Sequence, residues 1–121
     1  MFLATTNKAK QLLYVSYIQR VSSEEIKRAQ DDVKALLADL SPGFRLLVDF
    51  SQVESIDLDS TPEIGRLMEL IDQNGVGMVV RVIPDPDKDI GMNILTVFHY
   101  PHHPRVVTSK NLMEAMRGLG L

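Results

Sequence analysis

The chain has 121 residues, 45% hydrophobic and 24% charged, which is the make-up of one ordinary globular domain with a real core. A net charge of −3 argues against a nucleic-acid groove, which needs clustered Lys and Arg, and the absence of cysteine excludes disulfides, thiolate catalysis and cysteine zinc sites. The opening MFLATTNKAK has too short an apolar run for a secretory signal, and no stretch approaches a membrane span, so residues 1–121 are expected to form a single cytoplasmic domain.

The first apolar stretch, QLLYVSYI from Gln11 to Ile18, is rich in aromatic and β-branched residues and predicts a strand. FLAT before it reads as a short partner strand, with TNKAK as the turn. SSEEIKRAQDDVKALLADL predicts an amphipathic helix. Ser22 and Glu25 make a capping box, the acidic first turn suits the helix dipole, and Ile26, Ala29, Val33, Leu36, Leu37 and Leu40 recur at helical spacing. SPG, from Ser41 to Gly43, ends it. In FRLLVDF, Leu46, Val48 and Phe50 point to one face and Leu47 to the other, which marks a central strand covered on both sides.

After the intervening SQVESIDLDST, PEIGRLMELIDQNG carries Ile64, Leu67, Met68 and Ile71 on one helical face, and Asn74-Gly75 stops it. GMVVRVI is a strand ended by Pro84, and DPDKD from Asp85 to Asp89 is a loop. IGMNILTVFHY places Ile90, Ile94, Leu95 and Phe98 at helical spacing, RVVT is a short strand, and SKNLMEAMRGLG is a helix with Ser109 as its cap. Met68, Met113 and Met116 fall on helical faces and are expected in the core. This alternation predicts an α/β domain with a mostly parallel four- to five-stranded sheet flanked by helices.

SQVESIDLDSTPEIG, Ser51 to Gly65, concentrates acidic and hydroxyl side chains ahead of a helix. As a local structure, Ser60 with Glu63 makes a second capping box, Pro62 suits the first turn, and Asp59 lies near the positive helix end. As a catalytic loop, DLDST matches the Asp-x-Asp-x-Thr pattern of haloacid-dehalogenase-type phosphatases, with DPDKD as the second acidic loop. Against that reading, SQVESI separates Phe50 from Asp57, Lys88 lies inside the acidic loop, and the chain is short for a core plus a lid.

RLLVDFSQVESIDLDSTPEIGRL, together with the order of elements, resembles the STAS fold of anti-sigma factor antagonists. In that family an apolar strand ends in Asp, and a valine and an isoleucine lead into Asp-Ser-Ser-Gly-Leu-Gly, which opens a helix. Asp49 takes the strand-end position, Val53 and Ile56 the apolar pair, and Asp57 the first position of the motif. Leu58 and Asp59 stand where the family has its serines, and Asp59 falls on the one that a partner kinase phosphorylates. Ser60 stands where the family has glycine. The resemblance runs from about Gln11 onward.

What it implies is a non-catalytic regulatory or protein-interaction module without a cofactor. Its contact surface would comprise Asp57, Leu58, Asp59, Ser60, Thr61 and Glu63, and its partner would be a regulatory kinase or an anti-sigma factor-like protein. Phosphate transfer at position 59 is closed to an aspartate, which imitates a phosphate only crudely. Ser60 and Thr61 are the hydroxyls left for a switch; the helix N–H groups would favour a phosphate there, and Asp57, Asp59 and Glu63 would oppose it. Related STAS-like and SEC14-like modules bind small apolar or anionic ligands, so ligand sensing is the alternative and a phosphatase the third reading. Small modules also often pair as homodimers.

HYPHHP holds His99, His102 and His103, but Pro101 and Pro104 keep one helix from presenting all three, so a surface loop without metal is expected. The same histidines could make a nearby interface sensitive to mildly acidic pH. Arg81 interrupts an apolar strand. It is expected at an edge or strand end with its head in water, or paired with Asp49; the functional alternative is an anion contact at the carboxyl edge of the sheet.

Overall fold

A computed structural model describes residues 1–85 and 99–121, and for Leu58 the backbone only. Its elements are β1 (Phe2–Asn7), β2 (Leu12–Val21), α1 (Ser23–Leu37), β3 (Arg45–Ile56), a 3-10 turn (Leu58–Ser60), α2 (Thr61–Gln73), β4 (Met78–Val82), β5 (Arg105–Ser109) and α3 (Leu112–Gly118). The helix expected from Ile90 to Tyr100 lies outside the described residues except at its last two positions, as does all but Asp85 of the expected acidic loop.

The five strands pair in the order β1-β2-β3-β4-β5. β1 runs antiparallel to β2, and every later pair is parallel. Two successive crossovers, β2-α1-β3 and β3-α2-β4, step in the same direction across the sheet. With the usual right-handed connection, that places α1 and α2 side by side on one face.

The sequence periodicities meet in that layer. Leu13, Val15 and Tyr17 of β2 and Leu46, Val48 and Phe50 of β3 pack against Ile26, Val33 and Leu37 of α1 and Ile64, Leu67, Met68 and Ile71 of α2. Tyr17 stacks on Phe50 with ring centroids 4.7 Å apart and planes 9° from parallel. The opposite parity of the strands, Leu12, Leu47, Val80 and Val82, forms a second and smaller core under Ala115 of α3 and Leu119, which caps its C-terminus. Leu47 thus faces away from its neighbours Leu46 and Val48, as expected for a strand covered on both sides.

Several local expectations are corrected. Ser22 does cap α1, its Oγ accepting from Glu25 N at 3.2 Å. The Glu25 carboxylate does not close the box; it accepts from Phe2 N at 2.8 Å and so ties α1 to β1. Ser109 ends β5 rather than capping α3. The cap is Asn111, which has the extended backbone a cap needs and accepts from Glu114 N at 2.9 Å. Met68 is buried, but Met113 and Met116 are 65% and 41% exposed. A seven-residue helix lying on a sheet has one inward stripe, and Ala115 with Leu119 occupies it.

Candidate functional site

β3 has 12 residues, well beyond the seven of FRLLVDF. It continues through SQVESI to Ile56, so Ser51 to Ile56 form strand and not loop. Beyond Asp49 it leaves β4 and pairs with β2 alone: Gln52 with Ile18, Val53 with Gln19, Ser55 with Arg20 and Ile56 with Val21. Irregularities between Ser16 and Ile18 and between Gln19 and Arg20 accommodate the extension, and Gln19 takes a left-handed φ of 55° at the second. Val53 and Ile56 pack against the main core, while Ser51, Gln52, Glu54 and Ser55 are exposed. The chain then turns through Leu58–Ser60 directly into α2, which holds Asp57 to Thr61 at the carboxyl rim of the sheet.

Along that rim the side chains divide between surface and interior. Asp57 is half-buried and lies 3.5 Å from the Arg20 guanidinium. That exposed pair stabilises by no more than about 1 kcal/mol. Asp59 and Thr61 are exposed. Ser60 is fully buried, and its hydroxyl has no hydrogen-bond partner among the described residues. The expected Ser60–Glu63 capping box does not form. Ser60 has helical angles, φ −78° and ψ −15°, because the 3-10 turn runs straight into α2, whereas Ser22 has the extended φ −96° and ψ 158° from which a side chain reaches back to the helix. Glu63 turns inward instead. Its Oε2 accepts from Gln30 Nε2 of α1 at 2.8 Å, and its Oε1 accepts from Arg66 at 2.6 Å. Of the two candidate phosphorylation hydroxyls, only that of Thr61 reaches the surface.

Asp49 is buried and serves the strand rather than Arg81. Its Oδ1 accepts from Ser51 N at 2.8 Å and its Oδ2 from the Tyr14 hydroxyl at 3.1 Å. Burial, and then the Asp49 charge, push the Tyr14 phenol above its usual pKa. Asp49 and Arg81 project from opposite faces of the sheet, since Val48 sits with Arg81 in the slot described below and Leu47 lies in the opposite core. Arg81 lies on the fourth of five strands and is 3% exposed, so its head is not in water. Its guanidinium donates to Thr108 Oγ1 at 3.0 Å. It borders a narrow apolar slot of about 20 Å³ under α2, with Tyr17, Phe50, Met68 and Tyr100 among the lining residues.

The histidines do not converge. His99 Nδ1 lies 2.7 Å from Glu69 Oε1, His102 Nδ1 lies 2.5 Å from the buried Asp72 Oδ2, and His103 is exposed. Two carboxylates three residues apart on α2 meet two histidines three residues apart, a matched spacing that could have been read from the sequence. Among the described residues, no group of three or more His, Asp and Glu side chains could hold a metal ion. The His99 ring fits where Gly65 has no side chain: a Cβ there would stand 2.6 Å from His99 Cε1. Gly65→Ala is therefore expected to lower stability. Overpacking of about 1–3 kcal/mol exceeds the helix-propensity gain of about 1 kcal/mol. In a His99→Ala background the same substitution is expected to stabilise. Thermal unfolding of the four proteins in this cycle checks the reversal, and additive effects would refute the contact.

No family model and no curated protein sequence matches the chain. Solved structures do. A protein of the DUF3478 family with a SpoIIAA-like fold, from Shewanella loihica PV-4, superposes with a TM-score of 0.73 at 12% identity, covering 98% of this chain and 92% of its own. The chain has a SpoIIAA-like fold. SpoIIAA, an anti-sigma factor antagonist, in its unphosphorylated form aligns over 100% of both chains, with a TM-score of 0.64 and 10% identity. An anti-sigma factor antagonist from Mycobacterium paratuberculosis gives a TM-score of 0.61 at 18% identity, covering 100% of this chain and 94% of its own. This is the STAS-type α/β architecture expected from the order of elements.

The SpoIIAA-like fold bears on the phosphatase reading in two ways. The long β3 brings Asp57 directly after a strand, contrary to the separation expected from SQVESI. The strand order, however, never reverses. Open doubly wound sheets form their ligand crevice where the order does reverse, and among the described residues the sheet has no such point.

Proposed function

We propose that this domain is a non-catalytic protein-interaction module in a regulatory system, and that it meets its partner with Asp57, Asp59, Thr61 and the first turn of α2. The observation that carries this reading is the rim itself. An exposed acid and an exposed hydroxyl, Asp59 and Thr61, stand on a base fixed by buried Ser60 and by Glu63 bridging to Gln30. A surface whose supports are buried, Ser60 through its backbone bond to Asp57 O and Glu63 through its side chain, presents a constant shape, which lowers the ordering cost of association. Asp59 holds a permanent negative charge where the SpoIIAA pattern has a phosphorylatable serine, so the partner is a protein that accepts an acidic rim without needing a phosphate. Thr61 is the hydroxyl that a kinase could reach. The solved relatives include SpoIIAA in its phosphorylated form, so the fold itself tolerates phosphate.

The ligand-sensing alternative has less to recommend it. Among the described residues, the apolar slot at Arg81 is about 20 Å³, room for about one water molecule. No described helix is long and apolar enough to cross a membrane.

Asp59→Arg tests the interaction reading. The charge reversal is expected to lower the melting temperature by only a few degrees, because Asp59 is exposed and loses no more than the roughly 1 kcal/mol that an acid gains at a helix start. Affinity for the physiological partner is expected to fall by at least tenfold. The partner is found by cross-linking in the source cell, and binding is then measured with purified proteins. Equal affinity of wild type and variant would remove the rim from the interface.

A further inference from the structure

β1 is an edge strand that, apart from Glu25 at its first residue, lacks the devices that usually protect one. Its sequence, FLATTN, has no charge and no proline, and its register against β2 runs unbroken from Phe2–Tyr17 to Asn7–Leu12. Ile18 N donates to Met1 O at 2.7 Å, so odd-numbered residues of β1 turn their backbone groups toward β2 and even-numbered ones turn theirs outward. Phe2 N, an outward group, is held by Glu25 at 2.8 Å. Beyond it the N–H and C=O of Ala4 and Thr6 face away from the sheet. Leu3 is 48% exposed on the open face of the strand.

Beside this edge runs a groove of about 310 Å³, floored by Phe2, Leu3 and Ala4 and walled by Glu25, Arg28, Ala29 and Asp32 of α1. We propose that this groove and edge receive a second copy of the same chain, with β1 pairing antiparallel to β1 about a twofold axis through Ala4, so that two five-stranded sheets become one of ten.

The charges on α1 select that occupant. α1 runs beside β1, with Phe2 beside Glu25. At about 3.4 Å per strand residue and 1.5 Å per helix residue, Ala4 is level with Ala29. A twofold axis there sets Ala29 against its own copy, where small side chains allow close approach. It also sets Arg28 of each copy against Asp31 and Asp32 of the other, giving two reciprocal clusters of opposite charge. An axis through Ala4 makes a doubly bonded pair of Ala4 with Ala4 and sets Thr6 N–H against Phe2 C=O, while Phe2 N–H stays with Glu25, so only outward backbone groups are used. α1 rests over both β1 and β2. With strands about 4.8 Å apart, the two copies of α1 come to about 10 Å, a normal helix-packing distance. The residues of this surface are different ones from the Asp57–Thr61 rim, although α1 touches both, and the rim's own contacts do not require the pairing.

Sedimentation equilibrium up to millimolar protein tests the pairing. The wild type is expected to approach twice its 13.6 kDa. Ala4→Pro removes the outward N–H without touching a β1–β2 bond, and is expected to weaken association about 30-fold or more. Arg28→Glu, at an exposed helix position where the arginine pairs with Glu24 at 3.8 Å, costs the fold under about 1 kcal/mol and is expected to weaken association about tenfold. Far-UV circular dichroism establishes that each variant is folded. A wild type that remains monomeric overturns the proposal, as does a dimer that Arg28→Glu leaves intact; should Ala4→Pro fail to fold, the Arg28 variant decides alone.

Discussion

Raising the pH above about 10 is expected to unfold this protein steeply. Tyr17 and Tyr100 are both buried in the main core, and burial pushes each phenol well above its ordinary pKa of 10.0. At Tyr100 the nearby Arg81 opposes that shift and Asp72 adds to it. Below pH 10 the folded and unfolded chains both keep these protons, so stability does not depend on them. Above it the unfolded chain loses both protons while the folded chain holds them, and stability falls as pH rises. Each tyrosine contributes a slope of about 1.4 kcal/mol per pH unit, and the two together about 2.7. Two pH units are then comparable with the whole stability of a small domain, about 5–15 kcal/mol. Urea unfolding across the alkaline range measures the slope. Tyr17→Phe is expected to lower it by about 1.4 kcal/mol per pH unit, and a Tyr17→Phe, Tyr100→Phe protein that keeps the full steep limb would show that other groups, Tyr14 among them, cause it.

Phe50→Ala is expected to cost about 3–5 kcal/mol, or roughly 15 °C of melting temperature. Phe50 is 7% exposed, stacks on Tyr17 and lines the slot beside Arg81, so its removal leaves a cavity that strand backbones cannot close. It also stands where β3 parts from β4, directly before the extension that carries the rim. Phe50→Leu should lose less than half as much, because most of the volume remains. Calorimetry of both variants makes the comparison. A loss under about 1 kcal/mol for the alanine variant would mean that the stack does not anchor this end of the sheet.

The fold was legible wherever burial imposed a period. Ile26, Ala29, Val33 and Leu37 in α1, and Ile64, Leu67, Met68 and Ile71 in α2, are buried as their spacing predicts. Leu46 and Leu47 fall into opposite cores as expected. Legibility failed where one face is polar or one bond decides. SQVESI alternates too weakly to announce a strand, since its only apolar contacts come from Val53 and Ile56, and the length of β3 is set by pairing with β2. Ser60 with Glu63 has the spacing of a cap, but the backbone angle at Ser60 forbids it, and that angle comes from the preceding 3-10 turn. Arg81 reads as an edge residue because a lone cation in an apolar strand usually reaches water; Thr108, one strand away, gives it a half-buried acceptor. At the rim, the surface placement of Asp59 and Thr61 follows the pattern, and the burial of Ser60 and Glu63 does not.

Because each strand lies beside the one before it in the chain, the sheet can grow by annexing whatever has just been joined to it. No strand has to wait for a remote segment to be threaded between two neighbours already in place. The loops closed in assembly are only as long as single crossovers, which lowers the entropic barrier that slows most parallel sheets. Chain order thus doubles as an assembly schedule.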